Sequence, residues 1–339
     1  MFDARCSSCG SVRKRFEFRC GSCGSIFEIR PDWKYRGNDR DDFPYVKKWI
    51  SLGETTTPMV TRNGVSLKLD YFSPTYSYKD RGSRVMISRA QDFLEKGSTV
   101  NEDSSGNAGA SVSAYGVAAG FKVNIFASGN SNETKIRQIR SYGGDVHFVT
   151  GSREDVARAA MSAEGTYLGH AYIPEFRDGI RSLAYEIFRQ TEGNLPDAIY
   201  LPLSAGSLLL GMHSGFRHLM ESGEIDSIPA FIAVQPDGVD PICSRVNSKE
   251  YDPDNGKTSI ADALVTRRPV LMKLVVAAIG KNGSCVSVND AEIMAAWRNL
   301  SESGFLVEYS SAAAYAGIMK KRFGDRPLVI LTGNGLKSI

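Results

Sequence analysis

Two short segments contain residues that could bind and activate a cofactor. Lys79 lies in residues 73–82 (SPTYSYKDRG), and a loop of small, hydrogen-bonding residues follows at 104–109 (SSGNAG). A lysine amine can form an imine with an aldehyde, although most lysines of a soluble protein are solvated surface charges. The two segments together predict a pyridoxal-phosphate site in which Lys79 is the covalent attachment point.

Four of the six cysteines lie in the first 23 residues as two pairs with the same spacing. The pairs are Cys6-x2-Cys9 and Cys20-x2-Cys23, and a glycine follows each pair. Two such turns can bring four thiolates to one ion in a closed, tetrahedral site. We therefore predict a structural Zn²⁺ or a similar metal here. Disulfides are the alternative, which a reducing compartment disfavours.

Composition and charge narrow the class of protein. The chain has 339 residues, of which 42% are apolar and 23% are charged, as in ordinary globular proteins. The formal charge of +3 gives little reason to expect a nucleic-acid or membrane partner. Because the chain has neither a long apolar run nor the apolar core of a signal peptide, we expect a cytoplasmic protein.

The remaining cysteines and the histidines are predicted to be structural. Cys243 and Cys285 are isolated in sequence and are expected to be small buried hydrophobic residues. The histidines, none of which lies in a nucleophile-elbow motif, are predicted to be structural or surface residues. They are His147, His170, His213 and His218.

Short apolar segments alternate with longer helical ones over most of the chain. Strands are predicted at 122–127, 145–150, 198–203, 230–235 and 327–332. Helices are predicted at 45–52, 108–119, 133–142, 153–163, 179–190, 207–221 and 290–303. This alternation predicts an α/β protein with parallel sheets covered on both faces, in two groups centred on residues 80–165 and 195–339.

Two loops follow predicted strands, at the edge where such sheets bind ligands. Residues 203–208 (LSAGSL) join a strand to a helix, whose N-terminal N–H groups and dipole favour a phosphate dianion. A plain helix N-terminus is the alternative interpretation. Residues 332–335 (TGNG) follow the last strand. The usual nucleotide-binding glycine motifs are absent from the sequence.

Taken in order, these segments resemble the threonine synthases of the fold-type-II pyridoxal-phosphate enzymes. The matching segments are 51–58 (SLGETTTP), the Lys79 and Ser104 segments, 203–211, 307–313 (VEYSSAA) and 331–337 (LTGNGLK). The four cysteines are similar to those of archaeal-type members. The resemblance implies two doubly wound three-layer lobes and a zinc-ribbon-like element. The implied domains are 1–30 (zinc knuckle), 31–75 with 170–339 (large, cofactor-binding) and 76–169 (small, mobile).

The resemblance also implies roles for individual residues. Lys79 would bind the cofactor and take the Cα proton of the substrate, and Asn107 would bind the 3′ oxygen of the cofactor. Thr332 would place its hydroxyl at the pyridine nitrogen, and Ser104 and Ser105 would bind the substrate. The residues expected at the cofactor phosphate are Ser204, Ala205, Gly206, Ser207 and Leu208.

The implied substrate is O-phospho-L-homoserine, a phosphorylated amino acid converted to threonine and phosphate. Its phosphate needs cations, and the candidates are Arg81, Lys135, Arg177 and Arg181, each of which could equally be a surface charge. The family usually forms homodimers.

Three other functions remain open at this point. Departures from the family pattern, such as Gly169-His170 in place of Asn-Ser, leave room for a serine or threonine dehydratase. They also leave room for β-replacement on O-phosphoserine, as in cysteate synthase. A non-enzymatic zinc-knuckle protein that binds nucleic acid or protein is the third alternative.

Overall fold

The computed structural model describes residues 4–129 and 131–337. The chain forms two compact units. The first unit comprises Met1–Glu54 and Lys79–Ser182, and the second comprises Thr55–Tyr78 and Leu183–Ile339. The assignment of cofactor binding and mobility to the three predicted domains stays a prediction.

The strands and helices are numbered along the chain. The strands are β1 (Arg5–Cys6), β2 (Phe27–Glu28), β3 (Met59–Arg62), β4 (Val65–Leu69), β5 (Thr99–Glu102), β6 (Lys122–Ser128), β7 (Asp145–Val149), β8 (Thr166–Tyr167), β9 (Ala198–Pro202), β10 (Ala230–Pro236), β11 (Ser284–Val288) and β12 (Pro327–Leu331). The helices are α1 (Asp39–Asp42), α2 (Lys79–Ala90), α3 (Asn107–Ala118), α4 (Glu133–Ser141), α5 (Arg153–Ser162), α6 (Pro174–Gln190), α7 (Ser207–Ser222), α8 (Pro241–Val246), α9 (Met272–Ile279), α10 (Asp290–Glu302) and α11 (Tyr309–Lys320). Among the described residues, no helix has both the length and the apolar character needed to cross a membrane.

The first unit is built on a parallel sheet in the order β7-β6-β5-β8. Small residues let α3 pack closely against this sheet. A Cβ on Gly116 of α3 would lie 2.6 Å from Cγ2 of Val123 in β6, too close for any larger residue to fit without movement. A separate antiparallel pair, β1 with β2, carries the cysteine-rich segment.

The second unit is built on a sheet in the order β11-β10-β9-β12-β4-β3. The pairs within it are parallel except for β3 with β4. The central strands β9 and β12 are buried along their whole length, which explains why their sequences are continuously apolar instead of alternating. The predicted α/β architecture with parallel sheets is therefore confirmed.

The predicted strands and most predicted helices occur within a few residues of their expected bounds, but the predicted helix at 45–52 is wrong. This segment has no regular secondary structure. Its backbone bonds to side chains of α2 instead: the Ile50 N–H donates to Ser88 Oγ at 3.0 Å, and the Tyr45 carbonyl accepts from Arg89 at 2.9 Å. The apolar residues that resemble a helical face, such as Tyr45 and Val46, are buried from an irregular backbone.

The expectation that Cys243 and Cys285 are buried is confirmed, but they are not simply small hydrophobic residues. Their sulfurs form a disulfide between α8 and β11, across 42 positions of sequence. A separation of this length gives no local signal of the pairing. Only the packing of α8 against β11 brings the two sulfurs together.

Candidate active site

The carboxyl ends of β4, β9 and β12 lie at one edge of the second sheet, because the three strands are parallel neighbours. Ligands of open α/β sheets bind at this kind of edge. The loop after β9 contains Ser204, and Thr332 directly follows β12. The fold thus brings both predicted cofactor-binding segments of this unit to the same edge.

The loop 204–208 has the properties of an anion-binding helix start. Gly206 caps α7 with a φ of +103°, a left-handed conformation, and a Cβ there would lie 2.3 Å from Cγ2 of Val275. The Ser207 hydroxyl is buried, and it has no hydrogen-bond partner among the described residues. Ser204 Oγ lies 2.6 Å from Oγ1 of Thr266. A buried, unsatisfied hydroxyl at the N-terminus of a long helix fits a phosphate group.

Both backbone polar groups of Thr332 form hydrogen bonds with neighbouring segments. Its N–H donates to Ser311 Oγ at 2.8 Å, and its carbonyl accepts from the N–H of Tyr78 at 3.0 Å. Ser77 also bridges Gly333, so residues 77–78 run beside the loop that follows β12. Lys337 donates to the carbonyl of Thr75 at 3.3 Å, which ties the last segment to the same stretch of chain. Tyr78 is the residue that precedes Lys79 in sequence.

In the first unit, Lys79 is the first residue of α2 and is half-buried. Its Nζ lies 5.6 Å from the ring centroid of Phe176 in α6. Helices α2 and α6 meet closely, since a Cβ on Gly82 would lie 2.7 Å from the Phe176 carbonyl oxygen. The buried Asp80 accepts a hydrogen bond from Ser111 Oγ of α3 at 2.6 Å. The start of α2, where Lys79 lies, therefore packs against both α3 and α6.

The loop 104–107 runs into α3 within the same unit. Asn107 is the first residue of α3, and Gly106 is its N-cap. A Cβ on Gly109 would lie 1.9 Å from the Ser104 carbonyl oxygen, so only glycine lets the loop fold back onto the first turn. Because α3 also bonds Asp80, the loop with Ser104, Ser105 and Asn107 belongs to the same layer as the start of α2. The roles of these residues stay predictions.

The four predicted phosphate-binding cations differ in their surroundings. Arg177 and Arg181 are buried and donate to protein oxygens. Arg177 donates to the carbonyls of Ala171 and Phe27, and Arg181 donates to the Asp42 carbonyl and to Asp178 at 2.8 and 3.0 Å.

The other two cations lie on α2 and α4. Arg81 donates to Ser182 Oγ at 3.4 Å. Lys135 is buried on α4, and its backbone N–H donates to the side chain of Asn132, the residue that caps the helix. The assignment of all four cations to a substrate phosphate stays a prediction.

A group of ionisable side chains near Lys79 was missed by the sequence analysis. Glu102 ends β5 and is fully buried, and it binds both the backbone N–H and the imidazole of His170. Burial, together with the neighbouring charge of Asp103, raises the pKa of Glu102 well above its usual range. Burial and then the charge of Lys79 hold the pKa of His170 well below its usual range. Asp103 itself pairs with Arg153 at 2.6 Å.

The four N-terminal cysteines converge as predicted. Their Sγ atoms all lie within 4.8 Å of one another, and Cys6 and Cys23 are 3.4 Å apart. The two turns are alike: the N–H of Gly10 donates to the Cys6 carbonyl, and that of Gly24 donates to the Cys20 carbonyl. Both glycines have positive φ, which explains why a glycine follows each pair. The four sulfurs fit one tetrahedral metal ion.

The cysteine-rich segment contacts the first turn of α6 and the residues just before it. Arg13 binds both carboxylate oxygens of Glu175 at 2.7 and 2.6 Å, and both side chains are buried. Arg19 lies over the ring of Tyr172, 5.0 Å from its centroid. The contacts link the four-cysteine segment to residues 172–175, next to Phe176.

The two α/β units, each built on a largely parallel sheet, have the fold of a fold-type-II pyridoxal-phosphate enzyme. The chain belongs to the pyridoxal-phosphate dependent enzyme family, whose model matches residues 50–333.

Individual relatives agree with this assignment. The chain is 29% identical over 306 residues to a threonine synthase of Methanosarcina acetivorans, covering 85% of this chain and 74% of that protein. Its fold is similar to a crystal structure of a pyridoxal 5'-phosphate-dependent aspartate racemase, with a TM-score of 0.71, 20% identity and coverage of 83% of this chain and 90% of the other. It is also similar to threonine deaminase isoform 2 of Solanum lycopersicum, with a TM-score of 0.70, 20% identity and coverage of 89% and 86%.

Proposed function

We propose that the protein is a lyase of the threonine-synthase type, which converts O-phospho-L-homoserine and water to L-threonine and phosphate. The observation that carries this proposal is the similarity to a threonine synthase, which is 29% identical over 306 residues and covers 85% of this chain. The half-buried Lys79 at the start of α2 supports it, because a nucleophilic lysine must be held in place and partly removed from water.

The proposed roles of individual residues follow from the resemblance to the family. When bound, pyridoxal phosphate supplies a conjugated ring that accepts the negative charge left on an amino acid after proton loss. In the proposed reaction, the Lys79 amine binds the cofactor and moves the Cα proton, while Asn107 orients the ring. The N–H groups of residues 204–208 and the Ser207 hydroxyl bind the phosphate of the cofactor. Thr332 supplies a hydroxyl at the ring nitrogen.

We further propose that the four cysteines hold a structural Zn²⁺. Four sulfurs that lie within 4.8 Å of one another on two matching turns support a closed site with no position left for substrate. The ion would fix the turns between β1 and β2 and thereby the Arg13–Glu175 contact with α6.

A second candidate function is that of a dehydratase acting on serine or threonine. The specific observation in its favour is that the guanidinium groups of Arg177 and Arg181 already donate to protein oxygens. If these cations hold the fold together, the case for a phosphorylated substrate weakens, whereas the role of Lys79 is unchanged.

A substrate comparison distinguishes the two functions. The purified protein is supplied with O-phospho-L-homoserine, and threonine and phosphate are measured; in parallel it is supplied with L-threonine and L-serine, and oxoacid is measured. Equal amounts of threonine and phosphate support the first proposal, and oxoacid from the hydroxy amino acids supports the second. Lys79→Ala should lose either activity, whereas Lys122→Ala, which changes an exposed lysine in the same unit, should keep it. A fully active Lys79→Ala protein would contradict both proposals.

A further inference from the structure

The start of α7 carries several unused hydrogen-bond donors. Among the described residues, the backbone N–H groups of 204–209 have no acceptor, and the N–H of Leu210 is the first to donate, to the Gly206 carbonyl at 3.0 Å. The Ser207 hydroxyl is buried and has no partner in this part of the chain either. Donors without acceptors at the start of a 16-residue helix suit an anion, because an anion accepts hydrogen bonds.

The Ser204 hydroxyl in the same loop differs, because it has a partner. Its Oγ lies 2.6 Å from Oγ1 of Thr266, which is 62 positions further along the chain. Within the described ranges, 4–129 and 131–337, neither hydroxyl bonds to any other group. Two hydroxyls have two hydrogens, and the bond between them uses one. The pair therefore has one hydrogen left to donate to a third group.

Thr266 is held in place by contacts that do not involve Ser204. The next residue, Arg267, donates to Oδ1 of Asn255 at 3.0 Å. Asn255 in turn donates to the Gly238 carbonyl at 2.9 Å. Gly238 follows β10 and Ser204 follows β9, and these strands are parallel neighbours. The segment that carries Thr266 is thus anchored at the same edge of the sheet as the loop 204–208.

The chemistry of an anion decides which of the two hydroxyls should donate. A phosphate dianion has no hydrogen to give, and each hydroxyl has one. If Ser204 donated to Thr266, it would present only lone pairs to an anion in the loop. If Thr266 donates to Ser204, the Ser204 hydrogen is left for the anion, and the two hydrogen bonds polarise each other in the same direction. The second arrangement is the favourable one beside a phosphate.

We infer that Thr266 is a positioning residue of the cofactor site, which donates to Ser204 and thereby directs the Ser204 hydroxyl to the phosphate of pyridoxal phosphate. The inference rests on the proposed function, in which the loop 204–208 binds that phosphate. It adds a residue from outside the loop. Its effect should depend on the phosphate of the cofactor and not on the ring or the aldehyde.

Cofactor titration of the full-length protein, freed of cofactor, tests this role with two aldehydes. The probes are pyridoxal phosphate and pyridoxal, which has the same ring and aldehyde but no phosphate. Thr266→Val removes the hydroxyl and keeps the branched shape. It should raise the Kd of pyridoxal phosphate about tenfold, as for a weakened hydrogen bond to a charged group, and change the Kd of pyridoxal less than about twofold. Thr266→Ser keeps a hydroxyl and should restore the binding of pyridoxal phosphate.

Two further variants show whether the effect passes through Ser204. Ser204→Ala should itself raise the Kd of pyridoxal phosphate about tenfold, and adding Thr266→Val should then change it less than about twofold, because both substitutions remove the same hydrogen bond to the phosphate. Thr61→Val is the matched control. Thr61 forms a hydroxyl pair with Ser66 on the exposed β3–β4 hairpin, at 3.4 Å, and its loss should leave both Kd values unchanged.

Phosphorus NMR of the holoenzyme gives a readout that needs no turnover. The phosphorus signal of the bound cofactor should move in Thr266→Val and return to its wild-type position in Thr266→Ser. An unmoved signal in Thr266→Val would contradict the inferred hydrogen bond.

The contrary outcomes separate this inference from the proposed function. Equal weakening of pyridoxal phosphate and pyridoxal by Thr266→Val would reduce Thr266 to a structural role and overturn the inference. Unchanged binding of pyridoxal phosphate in Thr266→Val or in Ser204→Ala would overturn it as well, and each of these results leaves the proposed reaction intact. A wild-type protein that binds no pyridoxal phosphate would overturn the proposed function together with this inference.

Discussion

Replacing Gly206 by alanine tests the proposed phosphate loop. Gly206 has a φ of +103°, and an added Cβ would lie 2.3 Å from Cγ2 of Val275, a branched side chain with little room to move. The left-handed conformation costs a residue with a Cβ about 1–2 kcal/mol, and overpacking adds roughly 1–3 kcal/mol. We therefore expect Gly206→Ala to lower the free energy of unfolding by about 2–5 kcal/mol.

Gly223 offers a matched control at the other end of the same helix. It has a φ of +84°, but a Cβ there would meet no atom within 4 Å. Gly223→Ala should thus lower the free energy of unfolding only by the conformational cost of about 1–2 kcal/mol. In the double variant Gly206→Ala/Val275→Ala the clash is removed, so a mutant cycle should show a favourable coupling of about 1 kcal/mol or more between the two sites.

The assays are urea unfolding and cofactor titration. Midpoints and slopes from urea unfolding give the change in the free energy of unfolding. A shift of the loop that costs about 1.4 kcal/mol of binding free energy should raise the cofactor's Kd about tenfold in Gly206→Ala. Gly223→Ala should bind cofactor like wild type. Equal destabilisation by the two single variants, with normal cofactor binding in both, would refute the proposed role of Gly206.

Two further predictions concern the metal and an ion pair. Chelation of the metal should lower the melting temperature of the wild-type protein. A Cys20→Ser variant should contain less metal by elemental analysis, and its melting temperature should respond less to the chelator. An equal response of the two proteins would contradict the proposed metal site. Arg13→Met leaves Glu175 as an unpaired buried charge and should cost about 3–5 kcal/mol, while Arg30→Met removes an exposed pair and should cost under about 1 kcal/mol in urea unfolding.

The parts of the fold that could be predicted are those with local signals. The buried strands β9 and β12 are continuous apolar runs, and α4 and α10 begin after asparagine caps. The β3–β4 hairpin was missed although it carries such a signal: Asn63-Gly64 joins the two strands, and both residues have positive φ.

The residues of the candidate site likewise fall into those with a local sequence signal and those without one. Lys79, the Ser204 loop and the cysteine pairs are short motifs that can be recognised in one stretch of sequence. The Glu102–His170 pair depends on β5 and β8 being neighbours, and its two residues are 68 positions apart. The disulfide of Cys243 with Cys285 depends in the same way on the packing of α8 against β11. Such contacts are set by the tertiary fold and leave no local pattern to read.

The covalent attachment of the cofactor at Lys79 can be measured directly. Borohydride reduction of the purified holoenzyme, followed by proteolysis and mass spectrometry, should find the pyridoxyl group on the peptide that contains Lys79 and on no other lysine. The Lys122→Ala control should give the same modified peptide. A pyridoxyl group on another lysine, or a wild-type protein that carries none after incubation with the cofactor, would contradict the proposed site.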